Sequence, residues 1–512
     1  MGKSAELGSR ILDAPGAVIA TSTRTDLYKT CAPVLRAERA VSQLTPGGVA
    51  LTAVVCAVLW LWDVPSLWIA GTGLVLVVPF SMWLSPQTRQ ARPVEVFNPS
   101  GTGGLASTVV FNPLLGCEVP KTAIERAGDL MQGAASGDSR SGDREFWTGQ
   151  ARRALSALMH AAALGGASMR HVQEWLSDPE THAGQVERLL RQSPSRALEH
   201  DAAQFFATNH TTRSSIITSA MPALAWLADE AASAATEPGP GRTELNIEWL
   251  LDNRAVVFMI GAEEAQTAPL LTALTSYIAR EARRIAALAP GGRLDPPLTF
   301  VLDEAALICT PPLERWTADM GGLGAPIHIG VQSFAQLQGK YGHAGAATIL
   351  NNVNTLLVFG GTRSPEDLHI YATLVGEREV FTPQYDEFGR RRGFSSRFEP
   401  VITRSQLAGL DEFQTVIIKN KMLPMIGRVR PVWKRGDVKA VARARRYGTQ
   451  LRVLDMVDLR IRTWAVLTGE TVLVWLAERS DRARTRHGNR RAERRARREV
   501  AARQARARKR GL

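Results

Sequence analysis

The 512-residue chain has no paired cysteines: Cys31, Cys56, Cys117 and Cys309 are scattered, and none stands in a CxxC pair. That excludes a zinc or redox signature and a disulfide framework, and it fits a reducing cytoplasm. Each of the four reads as a small buried hydrophobe. Residues 1–20 are mixed and hold no continuous apolar run, so no signal peptide is expected. No internal repeat is visible. The last thirty residues hold few acids and almost no aromatics, and the lack of aromatics excludes base stacking as their task.

What that tail has instead is arginine. Residues 479–510 carry 15 of the 62 basic side chains and only 3 of the 49 acidic ones, so a net charge of +13 resolves into a nearly neutral body and a tail of +12. A block of like charge seeks polyanions. Arg490, Arg491, Arg494, Arg495, Arg497, Arg498, Arg503 and Arg506 lie among alanines, a pattern able to form a helix on a polyanion. Sequence-independent contact with DNA phosphates is the plausible mode. Anionic lipid and plain solvation remain open.

Length predicts two or three domains. Two apolar stretches at 47–84, of 16 and 18 residues, are split by a Pro-containing turn at Asp63 and bordered by Trp60, Trp62, Trp68 and Trp83. Their length and aromatic ends predict a transmembrane hairpin. Arg36, Arg39, Arg89 and Arg92 flank it, which puts both outer ends in the cytoplasm. Before it, Lys3–Leu12 reads as helix, 16–22 as a buried strand and Asp26–Arg39 as helix; after it, 92–101 reads as strand. Residues 119–235 are alanine-rich with helical spacing and no strand signal. Apolar strand-like runs return at 255–261, 298–305, 326–333 and 355–361, separated by helical stretches. That alternation predicts an α/β fold with a mainly parallel sheet and helices on both faces. The segment 386–393 reads as a hairpin turn or loop, and 464–478 is too short and polar for a third span.

The run LTFVLDEAAL delivers Asp303 and Glu304 at the carboxyl end of an apolar strand. This is the Walker B arrangement, in which the aspartate organises Mg²⁺ and the glutamate polarises the attacking water. A DE pair opening a helix by chance is the competing reading. Gln332 ends the next strand, where it would sense a γ-phosphate or merely cap the strand. Arg363 follows a glycine pair and would reach a phosphate across a subunit interface, or stand in an ordinary loop. A phosphate loop needs GxxxxGK[ST]. Gly2, Lys3 and Ser4 match only its last three positions, so the first half and its preceding strand are expected upstream, or this copy is degenerate.

GKSAELGSRILDAPGAVIATSTRTDLYKT, VEVFNPSG, DREFWTGQARRALSALMHAAA, LTFVLDEAALICTPPLERWTADMGGLGAPIHIGVQSFAQLQGKYG and NNVNTLLVFGGTRSPEDLHIYATLVGEREV together resemble the actinobacterial TraG/TraD-type coupling proteins of type IV secretion, over residues 2–40 and 92–435. The resemblance implies a hexameric RecA-like motor ATPase using ATP and Mg²⁺. Its partners would be DNA, relaxase and relaxosome proteins, the secretion channel and the bilayer of the cell membrane. Carried over, Lys3 and Ser4 hold phosphate and Mg²⁺, Asp303 and Glu304 serve metal and water, and Gln332 senses the γ-phosphate. The expected layout is a nucleotide domain over 1–40, 92–118 and 241–460, interrupted by the hairpin (41–91) and an all-α subdomain (119–240), with a helix and basic tail over 461–512. The family's hairpin usually precedes the nucleotide domain; here it would lie inside it. A non-hydrolysing membrane adaptor and an FtsK-like translocase are the alternatives.

Overall fold

The structure, a computed structural model, describes residues 2–37, 39–42, 86–89, 91–135, 142–239, 241–262, 266–385, 387–388 and 391–447. The chain divides into two units, one of residues 1–37 and 90–438, the other of 38–89 and 439–512. The hairpin expected at 47–84, the segment 464–478 and the arginine-rich tail lie outside the described residues. Among the described residues no helix is long and apolar enough to cross a membrane.

Helix α1 (Gly2–Asp13) buries Ala5, Leu7, Ile11 and Leu12 along one stripe. Strand β1 (Val18–Ser22) is buried at every residue. Helix α2 (Asp26–Leu35) ends four residues short of the expected Arg39. Pro33 sits in its last turn, where it removes one backbone donor. Residues Arg39–Ser42 are instead extended as β2, antiparallel to β3 (Pro86–Arg89).

In the first unit, β4 (Val94–Phe97) and β5 (Val109–Val110) lead into a helical block. Its helices are α3 (Pro120–Ala134), α4 (Gly142–Leu164), α5 (Met169–Ser177), α6 (Pro179–Leu190), α7 (Arg196–Ala207), α8 (His210–Ala220) and the short α9 (Glu230–Ala234). Local chemistry sets several starts. Asp178 accepts from the Thr181 amide with Pro179 at the first helical position, and Asn209 accepts from the Thr212 amide at 3.0 Å. Strand β6 (Thr243–Glu244) closes the block by pairing parallel with β5, so the chain leaves the block beside the point where it entered.

Next come α10 (Ile247–Asp252), β7 (Val256–Ile260), α11 (Ala268–Leu288), β8 (Thr299–Asp303), α12 (Leu313–Asp319), β9 (Ile327–Gly330) and α13 (Phe334–Asn352). Five strands form one all-parallel sheet in the order β4-β7-β1-β8-β9. β1, β7 and β8 are buried at every position, as a sheet covered on both faces requires. Successive residues of β7 show the two covers: Phe258 meets the Tyr28 ring of α2 edge-on at 5.5 Å, while Met259 faces Thr275 of α11. Buried Arg92 ties strand starts together, donating to the carbonyls of Arg254 (2.7 Å) and Ala14 (3.1 Å). An arginine expected to flank a membrane hairpin is thus engaged in the fold.

The strand expected at 355–361 is β10 (Thr355–Phe359), but it does not join the parallel sheet. After α14 (Pro365–Val375), β11 (Glu377–Tyr385), β12 (Arg391–Pro400) and α15 (Arg404–Ala408), strand β13 (Gln414–Lys419) pairs antiparallel with β10 and with β14 (Met425–Arg428). A five-residue apolar run does not specify which sheet it enters. β10 buries Val358 in a cluster with Leu368 and Leu407, beside its cross-strand neighbour Val416 of β13. Of the segment 386–393 expected as a turn or loop, residues 391–393 belong to β12, and 386, 389 and 390 lie outside the described residues; β11 and β12 are two long paired strands whose polar composition gives no strand signal. Helix α16 (Gly436–Tyr447) ends the described chain.

Candidate active site

The carboxyl ends of β1, β8 and β9 lie side by side, with Thr21 opposite Leu302 and Asp303 opposite Gly330. Ligands of parallel α/β sheets sit outside such ends. Asp303 is the last residue of β8 and is buried. Glu304 follows with φ of +52°, a left-handed conformation that costs a non-glycine residue about 1 kcal/mol or more. Its carbonyl accepts from the amides of Leu307 (2.9 Å) and Ile308 (3.3 Å), which fixes the sharp turn off the strand.

Helix α1 brings Lys3 to the two acids across three hundred positions of chain. Lys3 Nζ lies 3.0 Å from Asp303 Oδ1 and 3.5 Å from Glu304 Oε1. The helix is held there by contacts along its length. A Cβ on Gly2 would stand 2.3 Å from the Phe359 ring, and one on Gly8 3.0 Å from Val432. Arg435 grips Asp13 with two hydrogen bonds of 2.8 Å. Gly330 leaves the space that the pair occupies: a Cβ there would come within 3.1 Å of Leu7, Asp303 Oδ1 and the Lys3 stem.

Glu304 collects further donors. Gln332 Nε2 reaches Oε1 at 3.2 Å, and Thr23 Oγ1 donates to Oε2 at 3.0 Å. Thr21, buried at the end of β1, donates to the Asp303 carbonyl at 3.2 Å. The electrostatic outcomes diverge. Burial pushes the Asp303 carboxyl above its ordinary range, and the Lys3 charge offsets only part of that. Burial acts the same way on Glu304, but Lys3 and the hydrogen bonds from Gln332 and Thr23 outweigh it and hold that carboxyl below its usual range. Among the described residues Asp303 Oδ1 accepts no hydrogen bond of good geometry; the Lys3 ammonium is its compensation.

Lys3, Asp303, Glu304 and Gln332 therefore share one cluster. Gly2 is packed at the start of α1, and Ser4 stands half-buried in the first turn. Arg363 lies elsewhere, exposed in the loop between β10 and α14, and makes no hydrogen bond or ion pair among the described residues. Arg490, Arg491, Arg494, Arg495, Arg497, Arg498, Arg503 and Arg506 fall outside the described residues. Sequence reading missed Thr21, Thr23 and Gly330. The hydroxyl-rich TSTRT directly after an apolar strand was the signal for the first two. No group of three metal-ligating side chains occurs among the described residues. A Mg²⁺ here would take most of its ligands from phosphate and water, as that ion commonly does.

Residues 297–412 match the family model described as the TraM recognition site of TraD and TraG. Over this segment the chain is similar to TraD and TraG. The segment contains β8, the acidic pair, Gln332, Arg363 and the β11–β12 hairpin. Solved structures that the chain is similar to include the bacterial conjugative coupling protein TrwBdeltaN70 in an unbound form (20% identity, 66% of this chain and 73% of that one, TM-score 0.46). Others are TrwB with the non-hydrolysable ATP analogue ADPNP (19% identity, 66% and 74%, TM-score 0.47) and TrwB with ADP and Mg²⁺ (20% identity, 66% and 74%, TM-score 0.45). No curated protein matches the chain.

Proposed function

We propose that the chain is a membrane-anchored coupling ATPase that recruits a relaxosome and drives DNA through a type IV secretion channel. The observation that carries this reading is the meeting of Lys3 with Asp303 and Glu304 at the carboxyl edge of a parallel sheet. A lone lysine over two carboxylates suits a polyphosphate that arrives with a divalent cation. The TrwB structures with ADPNP and with ADP and Mg²⁺ support the same ligand class.

Lys3 would leave the acids for the phosphates, and Asp303 Oδ1, buried and without a hydrogen bond, would then face the cation. Ser4 would supply a hydroxyl to the same ion. Mg²⁺ supplies charge neutralisation on the phosphate oxygens. Glu304, held ionised by its donors, accepts the proton of the attacking water, and Gln332 orients the groups at the γ-phosphate. Arg363, exposed and unengaged, would complete the site of a neighbouring copy in a hexameric ring. The apolar halves at 47–84 would anchor the chain, and the arginine tail would follow DNA phosphates.

Recognition of relaxosome proteins belongs to residues 297–412, and the β11–β12 hairpin is its most exposed element. Register places Phe381, Tyr385, Phe394 and Phe398 on one face, each more than half exposed. Exposed aromatics grouped on one face mark an interaction surface. Replacing Phe381 and Phe398 by serine should weaken binding of a relaxosome accessory protein and leave ATP turnover unchanged; unchanged binding removes the hairpin from the reading.

The deciding experiment is ATP turnover by the full chain with Mg²⁺ and DNA. Turnover that Lys3→Ala and Glu304→Gln both abolish is the expected result. Absence of turnover with DNA present leaves the non-hydrolysing adaptor in its place.

A further inference from the structure

We propose that Thr23 is a positioning residue for Glu304, holding the carboxylate in the orientation from which it takes a proton. The inference rests on the hydrolytic reading above and adds a residue that reading does not use.

The two oxygens of Glu304 have different company. Oε1 faces Lys3 at 3.5 Å and Gln332 at 3.2 Å, both assigned to phosphate. Oε2 faces Thr23 at 3.0 Å. When Lys3 turns to a polyphosphate, the hydroxyl on Oε2 is the anchor that stays. Its backbone is well fixed. Thr23 directly follows β1, which is buried at all five positions and hydrogen-bonded to β7 and β8 on its two sides. The Thr21 hydroxyl further ties the end of β1 to the Asp303 carbonyl. A β-branched side chain on such a backbone has few rotamers, so the hydroxyl stands at a defined place.

Glu304 needs that anchor. Its left-handed backbone turns the chain off β8, and its side chain is 18% exposed, with water on one side. A glutamate free to rotate there would spend much of its time away from the reacting water, and small misplacements of a catalytic group are costly. Thr23 holds Oε2; with Lys3 and Gln332 drawn to the phosphates, Oε1 is the oxygen left to accept the proton.

The test compares ATP turnover by the full chain, with Mg²⁺ and DNA, for wild type, Glu304→Gln, Thr23→Val and Thr23→Ser. Thr23→Val keeps the shape and removes the donor. It should lower kcat about tenfold, in line with losing one hydrogen bond to a charged group, and change KM for ATP less than about twofold. Removing a donor from a carboxylate favours its protonated form, so the acid limb of the rate–pH profile should move to higher pH. Thr23→Ser should restore both. Wild-type kcat and pH profile in Thr23→Val overturn the inference. So does equal impairment of both variants with an unmoved acid limb, which marks a purely structural threonine. Wild type without Glu304-dependent turnover overturns the hydrolytic reading itself, and this inference with it.

Discussion

Two charged clusters in the first unit make a useful contrast. At the sheet edge, Lys3 meets Asp303 and Glu304, and Thr23 and Gln332 complete the shell. Where the helical block joins the sheet, Arg280 of α11 clasps Asp129 of α3 with two hydrogen bonds and meets Glu125 at 3.2 Å. Beside that clasp Arg126 is wholly buried between the rings of Phe111 and Tyr277, 4.7 Å from each, and its three nitrogens have no hydrogen bond among the described residues. The first cluster offers a cation and acids at a place open to a ligand. The second joins two helices, and its Arg280 and Glu125 are no less exposed than Lys3. Charge by itself, buried or part-exposed, therefore does not mark a reactive site; its place at a sheet's carboxyl edge is the better sign.

The largest expected effects separate the two clusters by what they damage. Glu304→Ala should lower ATP turnover at least about a hundredfold at only a small loss of stability. Asp129→Ala should do the reverse. It leaves Arg280 with Glu125 alone, beside Arg126 whose nitrogens make no hydrogen bond among the described residues, and about 3 kcal/mol of stability should be lost, read by chemical denaturation, with turnover per folded molecule unchanged. If Asp129→Ala abolishes turnover in a folded chain, the two clusters are coupled and the contrast fails.

The same contrast governs what could be read beforehand. Buried parallel strands announce themselves as short apolar runs, and β1, β4, β7, β8 and β9 all lie within the runs expected to be strands. The acids at the tip of β8 and the lysine in α1 are residue types with few bland roles in such places. β11 and β12 were silent, because mostly exposed strands alternate little and their polar residues look like loop. The Asp129–Arg280 clasp is invisible for another reason: the partners are 151 positions apart on helices, and in the sequence each alone reads as an ordinary surface residue. β10 was seen as a strand but assigned to the wrong sheet, since a run of apolar residues carries no address for its partner.

A middle-sized effect tests how α1 is held. Gly2→Ala would put a methyl carbon where the Phe359 ring lies, 2.3 Å away. Overpacking of this kind costs about 1–3 kcal/mol. It should also shift Lys3, so affinity for a fluorescent ATP analogue should fall. Phe359→Leu in the same chain should recover part of both losses; strict additivity would mean that the glycine matters for some other reason. Smaller again is Arg126→Met. Burial pushes the guanidinium below its ordinary range, so its charge is poorly compensated despite the two rings. A methionine of similar length should leave stability unchanged or raise it by about 1 kcal/mol.

The smallest expected change is the most informative about the active site. The Asp303 carboxyl is raised by burial, and Lys3 only partly corrects this. A carboxyl whose folded pKa lies above its unfolded value binds more protons folded than unfolded, so its ionisation opposes folding. That opposition is absent below the unfolded value of 3.8, grows as pH rises through the window up to the folded value, and is fully present above it. Asp303→Asn removes the ionisation. At neutral pH it should therefore raise the melting temperature of the ligand-free chain, by on the order of 1 kcal/mol in stability, the range typical of relieving a functional site. The advantage should shrink toward zero as the pH approaches 3.8. Glu304→Gln should behave oppositely. Its carboxyl is held low, so the contacts of its charged form stabilise the fold above its unfolded value of 4.5 and are lost as the pH falls through the folded one. Two adjacent acids whose neutral replacements move stability in opposite directions would show that Asp303 is kept at a cost to the fold, as a residue awaiting a cation would be, while Glu304 is already held in its working ionisation state.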